Sequence, residues 1–126
     1  MFKDTKAYSG FSVNDLAAAK SFYQDTLGIP IKENPMGLIL EISGSNGVFV
    51  YEKADHQPAT YTILNFPVEN IETAVDELKA KGVHFEHYDN MTDEKDIARG
   101  ISQKRGPDIA WFTDPAGNVL SMLQEG

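Results

Sequence analysis

The sequence predicts an α+β fold in which one β-α-β-β-β module occurs twice. Three observations carry this expectation: an internal repeat, two helical stripes that each end at a glycine, and short alternating strands after each stripe. The repeat sets FSVNDLAAAKSFYQDTLGIPI, from Phe11, beside FPVENIETAVDELKAKGVHF, from Phe66. Phe11 matches Phe66, Val13 matches Val68, Asp15 matches Asn70, Leu16 matches Ile71 and Ala19 matches Ala74. Gly28 then matches Gly82 after a one-residue gap.

Each module opens with a strand ending at Val13 or Val68. Asn14 or Asp15, and Asn70, are helix N-cap types, whose side-chain oxygens satisfy amides of the first turn. Leu16, Ala19, Tyr23 and Leu27 recur at helical spacing, as do Ile71, Ala74, Val75 and Leu78. Two helices of roughly three turns are expected, with Lys20, Asp76, Glu77 and Lys79 turned outward. Gly28 and Gly82 suit the left-handed residue that follows a helix end. Three strands follow in each half: Ile29 to Glu33, GLILEIS and VFVYEK in the first, VHFEHY, IAWFT and NVLSML in the second. DPAG provides the last hairpin turn, with Pro115 presetting φ. The segment KADHQPAT joins the halves, so one domain over 1–126 divides into modules 1–57 and 58–126.

Bulk properties narrow the function. The 126 residues suffice for one hydrophobic core. The chain has no cysteine, which excludes disulfides, thiolate metal sites and cysteine nucleophiles. Nineteen acidic residues outnumber 11 basic ones, a net charge of −8 that argues against nucleic acid and suits a cationic guest. No apolar run reaches the ~20 residues of a membrane span. MFKDTKAYSG lacks the apolar stretch of a signal peptide, so a cytoplasmic protein is expected.

The first-module signature FSVNDLAAAKSFYQDTLGI, the VENI helix and the closing DPAGNVLSM resemble the vicinal oxygen chelate superfamily. Its members include glyoxalase I, extradiol dioxygenases, and bleomycin and fosfomycin resistance proteins. The resemblance implies a glyoxalase-like fold whose curled sheets form a ligand cup, with the helices on the outer faces. It also implies a homodimer. Metal-dependent members carry His, Glu, His or Glu, and Glu on cup-facing strands. Counting from the matching landmarks puts Tyr8, Phe49, Ile63 and Ser121 at those four positions. A phenol, a phenyl ring, an aliphatic chain and a hydroxyl do not make the three or four N/O donors a divalent ion needs. No metal cofactor is expected, and glyoxalase I activity, which the metal supports, is not expected either.

Strand alternation puts Tyr8 with Gly10, Phe49 with Tyr51, Ile63 with Tyr61 and Asn65, and Ser121 with Val119 and Leu123. The opposite faces, Phe11 and Val13, Val48 and Val50, Leu64 and Phe66, Leu120 and Met122, are apolar and suit helix packing. The expected ligand set is therefore Tyr8, Phe49, Tyr51, Ile63, Asn65, Trp111 and Ser121, binding a small organic molecule. The alternative is an enzyme, using shifted metal ligands (His87, Glu41, Glu52) or acid–base work by His87 or Tyr8. His87 is attractive because imidazole titrates near neutrality. On a strand His84 and His87 face apart, while His84 and Glu86 share a face. The stretch 88–107 lacks a pattern and reads as a lid or solvated loop, with Arg99, Lys104 and Arg105 available to an anionic group. His56, in the connecting segment, carries no assigned role.

Overall fold

A computed structural model describes residues 1–126. Its contacts divide the chain into two compact units, Met1–Pro58 and Ala59–Gly126. The first unit holds β1 (Ser9–Val13), α1 (Leu16–Lys20), β2 (Ile31–Asn34), β3 (Gly37–Leu40) and β4 (Val48–Glu52). Its sheet runs β1-β4-β3-β2, with β1 parallel to β4 and the other pairs antiparallel. The second unit holds β5 (Thr62–Pro67), α2 (Ile71–Ala80), β6 (Asp108–Thr113) and β7 (Val119–Gln124). Its sheet runs β5-β7-β6, again with the first strand parallel to the last.

The repeat extends to register. Phe11 pairs with Val50 and Phe66 pairs with Met122, so Phe49 and Ser121 occupy matching places in β4 and β7. In each unit the helix packs on one face of its own sheet. There Val13, Leu38, Leu40, Val48 and Val50 are buried in the first unit, and Ala110, Phe112, Leu120 and Met122 in the second. Apolar parity along the strands therefore selects the helix-covered face, as the alternation predicted.

Each helix begins with two caps. Asp15 accepts from the Ala18 amide at 3.1 Å, and Asn70 accepts from the Thr73 amide at 3.1 Å. A second acceptor arrives from the end of the last strand. Glu52 Oε1 takes the Leu16 amide at 3.0 Å, and Gln124 Oε1 takes the Ile71 amide at 2.9 Å. Glu52 and Gln124 each stand two residues beyond the matched pair Val50 and Met122, so this bond belongs to the repeat. The glycines behave as expected after each helix, with φ of 74° at Gly28 and 84° at Gly82.

Two elements differ from the sequence expectation. The first helix is regular only to Lys20 and then widens through Ser21–Thr26, where the Leu27 amide donates to the Phe22 carbonyl at 2.9 Å. A five-residue step brings the consecutive rings of Phe22 and Tyr23 to the core together. They meet edge to face with centroids 5.1 Å apart. The second difference is VHFEHY, which is not a full strand. It meets β6 through a single bridge, Phe85 to Phe112, flanked by the Glu86 amide on the Trp111 carbonyl at 2.8 Å. Beyond Glu86 the chain turns away, because His87 is held by Asp96 instead of continuing along the sheet.

Removing the strand-end cap tests the repeat. Glu52→Ala and Gln124→Ala should each lower unfolding free energy by about 1 kcal/mol, read by chemical denaturation. Hydrogen exchange should quicken at the Leu16 amide in the first variant and at the Ile71 amide in the second.

Candidate functional site

The face of each sheet opposite its helix carries the residues singled out for ligand binding. In the first unit Gly10 lies beside Phe49 and Ser12 beside Tyr51 across β1 and β4, and Ile39 on β3 pairs with Phe49. Phe49 and Tyr51 stack with centroids 5.7 Å apart and planes 20° from parallel. Gly10 keeps this floor open: a Cβ there would lie 3.1 Å from the Phe49 carbonyl oxygen. A concavity of about 350 Å³ sits on the face, lined by Tyr8, Asn34, Met36, Ile39, Asn46, Gly47 and Phe49. None of these side chains is charged. Tyr8 and Met36 are largely exposed at its margin.

Sequence reasoning missed three polar residues of this face. Asn34 ends β2 at the turn into β3 and Asn46 lies in the loop after β3, and asparagines at turns are common enough that neither signals a ligand. His56 folds back from the connecting segment, and its Nδ1 lies 2.6 Å from the Ser12 hydroxyl. That pairing spans 44 positions in sequence and leaves no local pattern to read.

In the second unit Asn65, Ser121 and Trp111 form one row, since Asn65 pairs with Ser121 and Trp111 with Ser121. The Ser121 hydroxyl donates to Asn65 Oδ1 at 2.6 Å. Ser121 is buried, whereas Asn65 is exposed. Tyr88 meets Trp111 edge to face at 5.6 Å. Ile63 departs from the row. The pairing of β5 with β7 slips between Thr62 and Leu64, so Thr62 lies opposite Val119 and Ile63 is an extra residue. The count that sets Ile63 level with Tyr8 crosses this bulge.

The other residues that invited chemistry are engaged elsewhere. His87 Nδ1 lies 2.7 Å from Asp96 Oδ1, and Asp96 Oδ2 takes Lys79 of α2 at 2.9 Å, on the helix-covered side. The Thr92 hydroxyl approaches the same Nδ1 at 3.2 Å, so it does not form a relay through the imidazole. Glu52 caps α1, and Glu41 lies 3.7 Å from Lys32. His84 and Glu86 approach to 3.8 Å. No group of three or more His, Asp or Glu side chains has the arrangement to hold a metal ion. At the four positions assigned by counting, the Ser121 oxygen is already bonded to Asn65, and Phe49 and Ile63 offer no donor atom.

The stretch 88–107 is pinned down. Asp93 accepts from the Arg99 guanidinium at 2.7 Å and from the amides of Lys95 and Ile97 at 2.9 and 3.0 Å. Ile97 is fully buried, and Ala98 bridges to Ile109 on β6. Arg99 also reaches Glu72 and Asp108, and Lys95 reaches Glu72 and Asp76. Burial opposes ionisation of Asp93, but the bonds from Arg99, Ile97 and Lys95 outweigh it and hold the carboxyl below its ordinary value. Asp96 behaves alike, with burial outweighed by Lys79 and His87. The Asp93 hydrogen bond raises Arg99, and burial only partly offsets it.

This geometry meets known proteins in one family. The chain belongs to the glyoxalase/bleomycin resistance protein/dioxygenase superfamily, whose model matches residues 7–122. Solved structures share the fold. The genomically encoded fosfomycin resistance protein FosX of Listeria monocytogenes is 15% identical with a TM-score of 0.73, covering 98% of this chain and 94% of that one. A glyoxalase family protein of Enterococcus faecalis is 20% identical with a TM-score of 0.69, covering 98% and 99%. TnmS3, an antibiotic binding protein of Streptomyces sp. CB03234, is 20% identical with a TM-score of 0.67, covering 98% of each chain. No curated protein matches the sequence. No helix is long and apolar enough to cross a membrane.

Two outcomes test this site. Ser121→Ala should cost about 1 kcal/mol by removing the bond to Asn65, and should shift the emission of Trp111, the sole tryptophan. Asp93 and Asp96 have lowered folded-state values, so their stabilisation is present above the ordinary carboxylate range and fades as pH falls through the depressed values. Stability should therefore drop below about pH 4. Asp93→Asn should flatten that acid limb while raising exchange at the Ile97 and Ala98 amides.

Proposed function

We propose that the protein binds a small organic molecule on these aromatic sheet faces without a metal ion. The observation that carries this reading is the uncharged concavity over Phe49 and Ile39, bordered by Tyr8 and Met36. Concave, mostly apolar sites with a few polar groups are what small-molecule recognition uses. Phe49 would form the floor for a ring or acyl chain, and the stacked Tyr51 would extend it. The second unit would offer a flat surface of its own at Trp111, beside Asn65 and Ser121. Two proteins that share this fold, a fosfomycin resistance protein and an antibiotic binding protein, lend support to an organic ligand. The side chains at the counted metal positions do not supply a donor set, which supports the metal-free reading. With no charged residue in the lining, the acidic balance acts as a surrounding field and the seat itself suits a neutral guest.

A thermal-shift titration of tag-free, EDTA-treated protein with Ni, Zn, Mn, Fe(II) and Mg tests this. A resident metal at 100 times its Kd would stabilise the fold by about 2.7 kcal/mol and raise Tm by several degrees. The expected outcome is no shift with any of the five. A clear rise with one metal would overturn the metal-free reading.

A further inference from the structure

Two polar side chains at the concavity, Asn34 and Asn46, have a fixed donor and acceptor sense, which narrows the ligand. Asn34 Oδ1 accepts two backbone amides, Met36 at 2.8 Å and Gly37 at 2.9 Å, in the turn between β2 and β3. An amide N–H must meet an oxygen, so the Asn34 side chain cannot be flipped. Its NH2 remains as a donor. Asn46, in the loop between β3 and β4, is locked in the opposite sense. Its Nδ2 donates to the Ala7 carbonyl at 3.1 Å, which identifies its other terminal atom as an acceptor oxygen. Both asparagines line the same concavity, with Phe49 and Ile39 as the apolar part of the lining. Backbone groups thus leave Asn34 with a free donor and Asn46 with a free acceptor.

We infer that the concavity recognises a neutral, flat ligand that carries a hydrogen-bond acceptor facing Asn34 and a donor facing Asn46. Lactams, cyclic imides and vinylogous amides belong to this class. The inference rests on the small-molecule reading above and adds the polarity of the guest. An ionised ligand is a poorer match, because no counter-charge lines the site and a charge gains little from neutral amides once its own water is displaced. A ligand with two acceptors would set an unpaired oxygen against Asn46, and one with two donors would set an unpaired N–H against Asn34.

The probes are 4-pyridone, with its carbonyl and N–H at opposite ends of one ring, N-methyl-4-pyridone, which lacks the donor, and toluene, which lacks both. Each is titrated into ¹⁵N-labelled protein, reading the side-chain amides of Asn34 and Asn46 and the backbone amides near Phe49. The expected result is that 4-pyridone moves both side-chain signals and binds about tenfold more tightly than its N-methyl form. Asn34→Asp is the informative variant. It keeps an oxygen for the Met36 and Gly37 amides, so the turn survives, but replaces the remaining donor with an acceptor. Affinity for 4-pyridone should fall about tenfold, toluene should be unaffected, and benzylammonium should gain. Asn46→Ala, in an exposed loop, should remove the difference between 4-pyridone and its N-methyl form. Equal affinities for 4-pyridone and N-methyl-4-pyridone in the unaltered protein would overturn the inference, as would unchanged 4-pyridone affinity in a folded Asn34→Asp variant. If none of the rings perturbs the Phe49 region, the small-molecule reading of this face fails, and the inference with it.

Discussion

The first amide of each helix has no partner inside its own helix, and both modules solve that problem with the residue that ends the final strand. Glu52 reaches Leu16, and Gln124 reaches Ile71. The consequence is topological. The last strand already lies parallel to the first, so this bond closes the module by tying its final strand to the start of its helix. The bond sets where the helix starts, on the face that apolar parity along the strands selects. A helix fixed at its N-terminus against the end of the parallel pair can cover only one side. The face opposite the helix is the one that carries Phe49 in the first module and Ser121 in the second.

The two bare faces differ in chemistry despite matching register. In the first, Gly10, Phe49 and Ile39 make a row of carbon, with Ser12 and Tyr51 in the next row and Asn34 and Asn46 at the border. In the second, Asn65, Ser121 and Trp111 place a hydrogen-bonded pair beside an indole. The backbone pairing matches between the modules while the side chains on it differ.

Much of this was legible in the sequence because it depends on local rules. The helix starts at Asp15 and Asn70, the glycines after each helix and the apolar parity of β4 and β7 all follow from caps, φ preferences and a two-residue period. The parts that escaped are set by tertiary partners. The widened turn after Lys20 answers to the joint burial of Phe22 and Tyr23, which helical spacing alone does not announce. VHFEHY has strand composition, yet Asp96 draws His87 away after Glu86. The stretch 88–107 looked featureless because its order comes from Asp93 gathering Arg99 and two amides, and from one isoleucine, Ile97, buried far from any periodic pattern. His56 could not be assigned, since nothing around it hints at Ser12.

The bulge at Ile63 has a further implication for reading proteins built from repeats. Counting residues from a shared landmark assumes that both copies advance along their strands at the same rate. Here β5 spends two steps, Thr62 to Leu64, while β7 spends one, Val119 to Leu120. Past that point the two modules are out of phase, so sequence symmetry and spatial symmetry no longer name the same residue. A functional position transferred from one half to the other stays valid on the side of Asn65 and loses its meaning on the side of Thr62. The pseudo-symmetry of this chain thus has a definite boundary, one residue wide.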